Sequence, residues 1–128
     1  MPEQSSSPRN FTILVADDED AYRTILSSEL IRIGYDVSLA VDGEEATQKL
    51  KDGKYDLALL DIKMPKMDGI EVLKFIRANM PGVKTIVMTG FADLHIAMEA
   101  KQNGAIDFLV KPFNLDDLLS AIKNAVSA

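Results

Sequence analysis

The chain has no cysteine and no tryptophan, a single histidine, and no apolar run near the length of a membrane span. Without thiols there are no disulfide frameworks, thiolate metal sites or cysteine nucleophiles, which fits a reducing, cytoplasmic setting. Any chemistry must come from oxygen and amine groups. Cations are also short: 14 Lys and Arg against 20 Asp and Glu leave a net charge of −6. Phosphate backbones are held by clustered Lys and Arg, so no direct nucleic-acid binding is expected. The opening MPEQSSSPRN offers no hydrophobic segment for a signal peptide, and no contact with a membrane is expected. We expect residues 1–10 to be a mobile tail and 11–128 to form one domain, long enough to bury a core without staples.

What the chain does have is acid gathered in one place. In ILVADDEDAY (13–22) an apolar run ends in Asp17, Asp18, Glu19 and Asp20. Two like charges about 4 Å apart cost roughly 4 kcal/mol at an effective dielectric near 20, so such a cluster implies a compensating cation. Helix capping and the helix dipole account for Glu19 and Asp20; they are a poor account of Asp17 and Asp18.

Short apolar runs alternate with longer amphipathic ones. Strands are expected at 11–16, 36–40, 55–60, 83–88 and 105–110, several of them apolar on both faces, and helices at roughly 20–33, 43–52, 69–79, 92–103 and 115–127. Asp42 and Asp68 precede helices and are followed at the third position by Glu45 and Glu71, and Asn114 has Asp117 at the same offset. Gly34, Gly53, Gly82 and Gly104 read as helix stops. The pattern is α/β, (βα)5, a five-stranded parallel sheet with helices on both faces and right-handed crossovers. Ligands of such sheets sit at the carboxyl ends of the strands. There lie Asp17 and Asp18 after the first strand, Asp61 after the third, Thr89 after the fourth and Lys111 after the fifth.

With DD at 17–18, the Asp of LLDIKMP, MDG at 67–69, the Thr of MTG and KPF at 111–113, the chain resembles the receiver domain of bacterial two-component response regulators over about 11–127. The resemblance implies the flavodoxin-like strand order 2-1-3-4-5, the order found in the chemotaxis member of that family. It further implies that Asp61 accepts a phosphoryl group from a sensor histidine kinase or phosphotransfer protein. Mg²⁺ would be held by Asp18, Asp61 and the backbone carbonyl of Lys63, with Asp17 reaching it through water. Lys111 would neutralise the phosphoryl group, and Lys111–Pro112 would be cis. Thr89 and Phe108 would be the switch, biasing a surface of helix four, strand five and helix five toward a downstream partner or output domain, with a homodimer on phosphorylation as a further implication. From the residues alone Phe108 reads as plain core, and His95 as an exposed or partner-facing side chain rather than a ligand.

Gly90 leaves little side chain over the site, so phosphoryl access should be open. Lys63 and Phe91, two residues beyond Asp61 and Thr89, carry no amide or carboxylate to orient a hydrolytic water, and slow self-dephosphorylation is expected. The stretch from Met88 to Leu118 is closer to receivers of enhancer-binding transcriptional activators than to chemotaxis receivers, yet the chain stops directly after the last helix. It either acts alone or is part of a longer regulator. A phosphorylation-independent interaction module of the same fold would be expected to lack an acid or Lys111. An aspartyl-phosphate phosphatase would want an aspartate where Lys63 stands, so beyond its own phosphorylation and dephosphorylation the chain is not expected to be an enzyme. Flavin binding would want a phosphate-cradling first loop, whereas ADDED repels phosphate without metal.

Overall fold

The computed structural model describes residues 11–90 and 94–127; the expected tail and Phe91 lie outside them. Ten elements alternate: β1 (Thr12–Ala16), α1 (Asp20–Ile33), β2 (Asp36–Ala40), α2 (Gly43–Asp52), β3 (Leu57–Asp61), α3 (Gly69–Asn79), β4 (Lys84–Thr89), α4 (Leu94–Gln102), β5 (Asp107–Val110) and α5 (Leu115–Ser127). The strands pair in parallel in the order β2-β1-β3-β4-β5. The expected architecture is the observed one.

Side chains along each strand alternate between two cores, as the period-2 pleat requires. Ile13, Val15, Leu57 and Leu59 join Leu26 and Leu30 of α1 and Leu118, Ala121 and Ile122 of α5. Leu14, Ala16, Ala58 and Leu60 join Ala46 and Leu50 of α2, Val72, Leu73 and Ile76 of α3 and Ala100 of α4. Strands covered on both faces have no polar alternation to show, which is why they read as continuous apolar runs.

The caps explain most helix boundaries. Asp68 and Glu71 form a full capping box, with bonds of 2.9 and 3.1 Å. The Asp42 carboxylate accepts from the Glu45 N–H at 2.8 Å, but the Glu45 side chain takes the Val41 N–H instead, one residue short of a full box. Asn114 accepts from the Asp117 N–H at 2.8 Å. At Gly34, φ of 120° lets its N–H turn back onto the Leu30 and Ile31 carbonyls and close α1. Gly82 is not a helix stop: α3 closes at Met80, whose N–H reaches the Ile76 carbonyl.

Two strand boundaries differ from expectation in a way that matters for the site. β3 runs through Asp61 and β4 through Thr89, because both residues stay in the ladder, Asp61 beside Met88 and Thr89 beside Val110. The residues expected just past the strands are their last members. Their backbones are fixed by the sheet rather than by a loop.

Candidate functional site

The carboxyl edge of the sheet carries three side chains that have left water. Asp17 and Thr89 are 0 % exposed and Asp61 is 4 % exposed. Each is tied to its neighbours by main chain: the Asp17 N–H bonds the Ala40 carbonyl at 3.1 Å, the Ile62 N–H the Met88 carbonyl at 2.9 Å, and the Lys111 N–H the Thr89 carbonyl at 2.7 Å. A buried carboxylate needs a partner. Lys111 supplies it.

The Lys111 ammonium lies 2.6 Å from Asp17 Oδ2, 2.9 Å from Glu19 Oε1 and 3.3 Å from Asp61 Oδ2. These contacts use all three N–H donors of an ammonium. The Lys111–Pro112 peptide is cis. Asp17 is fully engaged as well, since its other oxygen accepts the Glu19 N–H at 2.9 Å. The second oxygen of Asp61 accepts the Lys63 N–H at 3.2 Å.

Burial, which outweighs the attraction of Lys111, together with repulsion from Asp17, pushes the Asp61 carboxyl up to about 6. Burial alone would pull Lys111 down, but its hydrogen bonds to Asp17 and Glu19 and the charges of Asp61 and Asp17 hold it above the ordinary lysine value. The ammonium therefore stays charged throughout the physiological range. Asp61 is the group whose charge is costly to keep.

An open cleft of about 460 Å³ leads to this cluster, walled by Asp18, Glu19, Tyr22, Lys63, Gly90 and Pro112. Asp18 is exposed there, in contrast to Asp17. A Cβ added at Gly90 would meet nothing within 4 Å, so that side of the cleft is unobstructed. A larger hollow of about 630 Å³ lies across Asp18 and Lys63, against Ile62, Ile96 and Glu99. Asp61 and Lys111 line the smaller cleft and not the larger hollow.

Carboxylate oxygens of Asp17, Glu19 and Asp61 lie within 4.8 Å of one another, hard oxygens of the kind a divalent cation such as Mg²⁺ prefers, and here they surround the Lys111 ammonium. Glu19 departs from expectation. As the N-cap residue of α1 its side chain makes no capping bond, and it turns to Lys111 instead. Asp20 behaves as a first-turn acid, paired with Arg23. Phe108 is half-buried on β5 against the core under α3 and α4, beside a hollow of about 170 Å³ lined also by Ala97 and Ala100. His95 is exposed on α4.

The sequence matches the family described as "Response regulator receiver domain" over residues 13–123. The chain belongs to that family. Its relatives include the transcriptional regulatory protein ZraR of Escherichia coli, 38 % identical over 92 % of this receiver but only 27 % of the relative. The receiver thus spans about a quarter of the length of that regulator. It is also 35 % identical to sporulation initiation phosphotransferase F of Bacillus subtilis, over 89 % of this chain and 92 % of that one. Among solved structures, a CheY-like receiver domain protein from Methanospirillum hungatei superposes with a TM-score of 0.90 at 34 % identity, covering 93 % of this chain and 95 % of that one. The response regulator TrrA of Thermotoga maritima, solved in complex with Mg(2+)-BeF, does so at 0.82 and 38 %, covering 90 % and 98 %. Among the described residues, no helix is long and apolar enough to cross a membrane.

Proposed function

We propose that this receiver accepts a phosphoryl group on Asp61 from a sensor histidine kinase or phosphotransfer protein and passes the signal to a downstream partner or output domain. The observation that carries this reading is the buried Asp61 carboxylate, 3.3 Å from the Lys111 ammonium, at the end of an open cleft. The TrrA relative solved with Mg(2+)-BeF supports an ion among the acids here. Asp17 has both oxygens committed, one to Lys111 and one to the Glu19 N–H, which suits a contact through water. Asp18 opens into the cleft beside Asp61 and suits a direct one, with the Lys63 carbonyl completing the protein's share. A bound Mg²⁺ offsets the negative charge on the phosphoryl oxygens, and a few oxygen ligands suffice because this ion keeps several waters.

With a pKa of about 6, Asp61 is mostly carboxylate at pH 7 and needs no base. One of its oxygens attacks phosphorus, the phosphorus–nitrogen bond of the donor phosphohistidine breaks, and the imidazole leaves with that electron pair. Catalysis of such a transfer is mainly positioning and charge neutralisation. The Lys111 ammonium supplies the latter from the chain itself. In this reading the Thr89 hydroxyl, at the buried end of β4, would donate to a phosphoryl oxygen, and the Phe108 ring would repack into the hollow beside it. These two movements would shift the α4, β5 and α5 surface between two states, and a homodimer is one consequence open to it. Apart from making and losing its own acyl phosphate, the receiver is no enzyme in this reading.

The test is intact-protein mass after incubation with Mg²⁺ and acetyl phosphate. One added phosphoryl group, absent in Asp61→Asn and with EDTA, is the expected result; no addition to the wild type from any of several phosphodonors would favour a phosphorylation-independent interaction module. In the same assay the acyl phosphate should decay slowly, and faster in a Lys63→Asn, Phe91→Glu double variant; equal rates would remove the argument from these two positions.

A further inference from the structure

The first turn of α1 touches the site in a way that the acid pair alone does not require. Three residues after Glu19, on the same side of the helix, the Tyr22 ring lies under the Lys111 ammonium, with the nitrogen 4.2 Å from the ring centroid. A cation this close to an aromatic face is attracted by the ring quadrupole, the more so where water is excluded, and the Lys111 side chain is only 8 % exposed. Tyr22 is itself held, packed edge-on against Phe113 with centroids 5.7 Å apart. Phe113 follows Pro112, so the ring is braced by the loop that carries the lysine. The ammonium is enclosed by Glu19, the N-cap of α1, by Tyr22 in its first turn, by Asp17 just past β1, and by Asp61 at the end of β3.

Of its three carboxylate contacts, the one to Asp61 is the longest. It is also the only one that phosphorylation would change, because Asp61 would then present phosphoryl oxygens in place of a free carboxylate. We propose that Glu19 and Tyr22 are positioning residues for Lys111: carboxylate and ring hold the ammonium so that its third N–H remains aimed at the phosphoryl group. The inference rests on the receiver reading above. Neither residue touches the reacting atoms. Glu19 contributes a charge-assisted bond that survives phosphorylation, and Tyr22 a face that stops the lysine stem from swinging out into the cleft.

The experiment uses the full chain and the variants Tyr22→Leu, Tyr22→Phe and Glu19→Ala, each checked for its fold by the amide NMR spectrum. Two readouts are taken. The first, without metal or phosphodonor, is the chemical shift of the Lys111 side-chain methylene protons nearest the ammonium, displaced upfield by the Tyr22 ring. This displacement should vanish in Tyr22→Leu and persist in Tyr22→Phe. The second is the dependence of the phosphorylation rate on acetyl phosphate concentration with Mg²⁺ present. Tyr22→Leu and Glu19→Ala should lower the maximal rate by about three- to tenfold, the scale of one cation–π or charge-assisted contact, with little change in the half-saturating concentration, and Tyr22→Phe should restore it. An absent ring-current shift in the wild type overturns the proposal whatever the phosphorylation result. So does wild-type phosphorylation that both substitutions leave unchanged or accelerate. If the wild type shows the shift but takes no phosphoryl group, the receiver reading has failed, and the positioning role that depends on it is overturned with it.

Discussion

Replacing Asp61 with asparagine should make the metal-free protein more stable at neutral pH, although the substitution removes the proposed reactive group. The Asp61 carboxyl has an ordinary value of 3.8 and is pushed up to about 6 in the fold. A folded value above the unfolded one means that the native state binds the proton more tightly. Stability contributed by this group is therefore greatest below pH 4, falls as pH rises from 4 through 6, and is fully lost above that. A gap of about two units at 1.36 kcal/mol each sets the loss at roughly 3 kcal/mol. Asparagine keeps an acceptor for the Lys63 N–H and leaves Lys111 with its shorter bonds to Asp17 and Glu19. The folded value of about 6 already contains the attraction of Lys111, and an amide reproduces the contacts of the neutral carboxyl only in part, which leaves a net gain of about 2 kcal/mol at pH 7.5. Urea unfolding in EDTA, followed by far-ultraviolet circular dichroism, would show this as a midpoint raised by about 1 M, for a slope of about 2 kcal/mol/M. The difference should close as pH falls from 7.5 toward 4, where Asp61 in the wild type becomes neutral. A difference that does not depend on pH, or a wild type more stable at pH 7.5, would refute the reasoning.

Other consequences follow from the same geometry. Mg²⁺ should raise the unfolding midpoint of the wild type, by about 1.4 kcal/mol at ten times its dissociation constant, and do much less for Asp61→Asn; equal effects in a thermal melt would place the ion elsewhere. Gly69→Ala should cost about 1–3 kcal/mol, because a Cβ there would stand 2.4 Å from the Asp61 carbonyl oxygen and 2.8 Å from the Ile62 Cα; it should also slow labelling by acetyl phosphate, since the Asp61 main chain forms one side of the clash. Leu59→Ala, at a fully buried position of the core under α1 and α5, should cost about 2–5 kcal/mol in urea unfolding without altering which residue is phosphorylated.

The order of elements was legible in the sequence because most helix boundaries are set by neighbours along the chain. Asp68 with Glu71, Asn114 with Asp117 and the glycine at 34 act over one turn, and strands buried on both faces have nothing to be but apolar. With alternating strands and helices, the carboxyl-edge rule then gathers Asp17, Asp61, Thr89 and Lys111 without coordinates. What the sequence could not assign is how the four acids of the first loop divide their labour. Asp17, Asp18, Glu19 and Asp20 are chemically near-equivalent in a row. Their fates diverge because the strand end buries the first, the turn exposes the second, and the helix start aims the third at Lys111 and the fourth at Arg23. Glu19 and Tyr22 were not linked to each other or to any partner by the sequence. Lys111 stands 92 residues from Glu19, and only the packing of α1 beside the β5 loop brings that distance to 2.9 Å. Local preferences act through the chain and can be read from it; the charge and burial that make Asp61 costly to ionise act through space, and only the assembled sheet sets them.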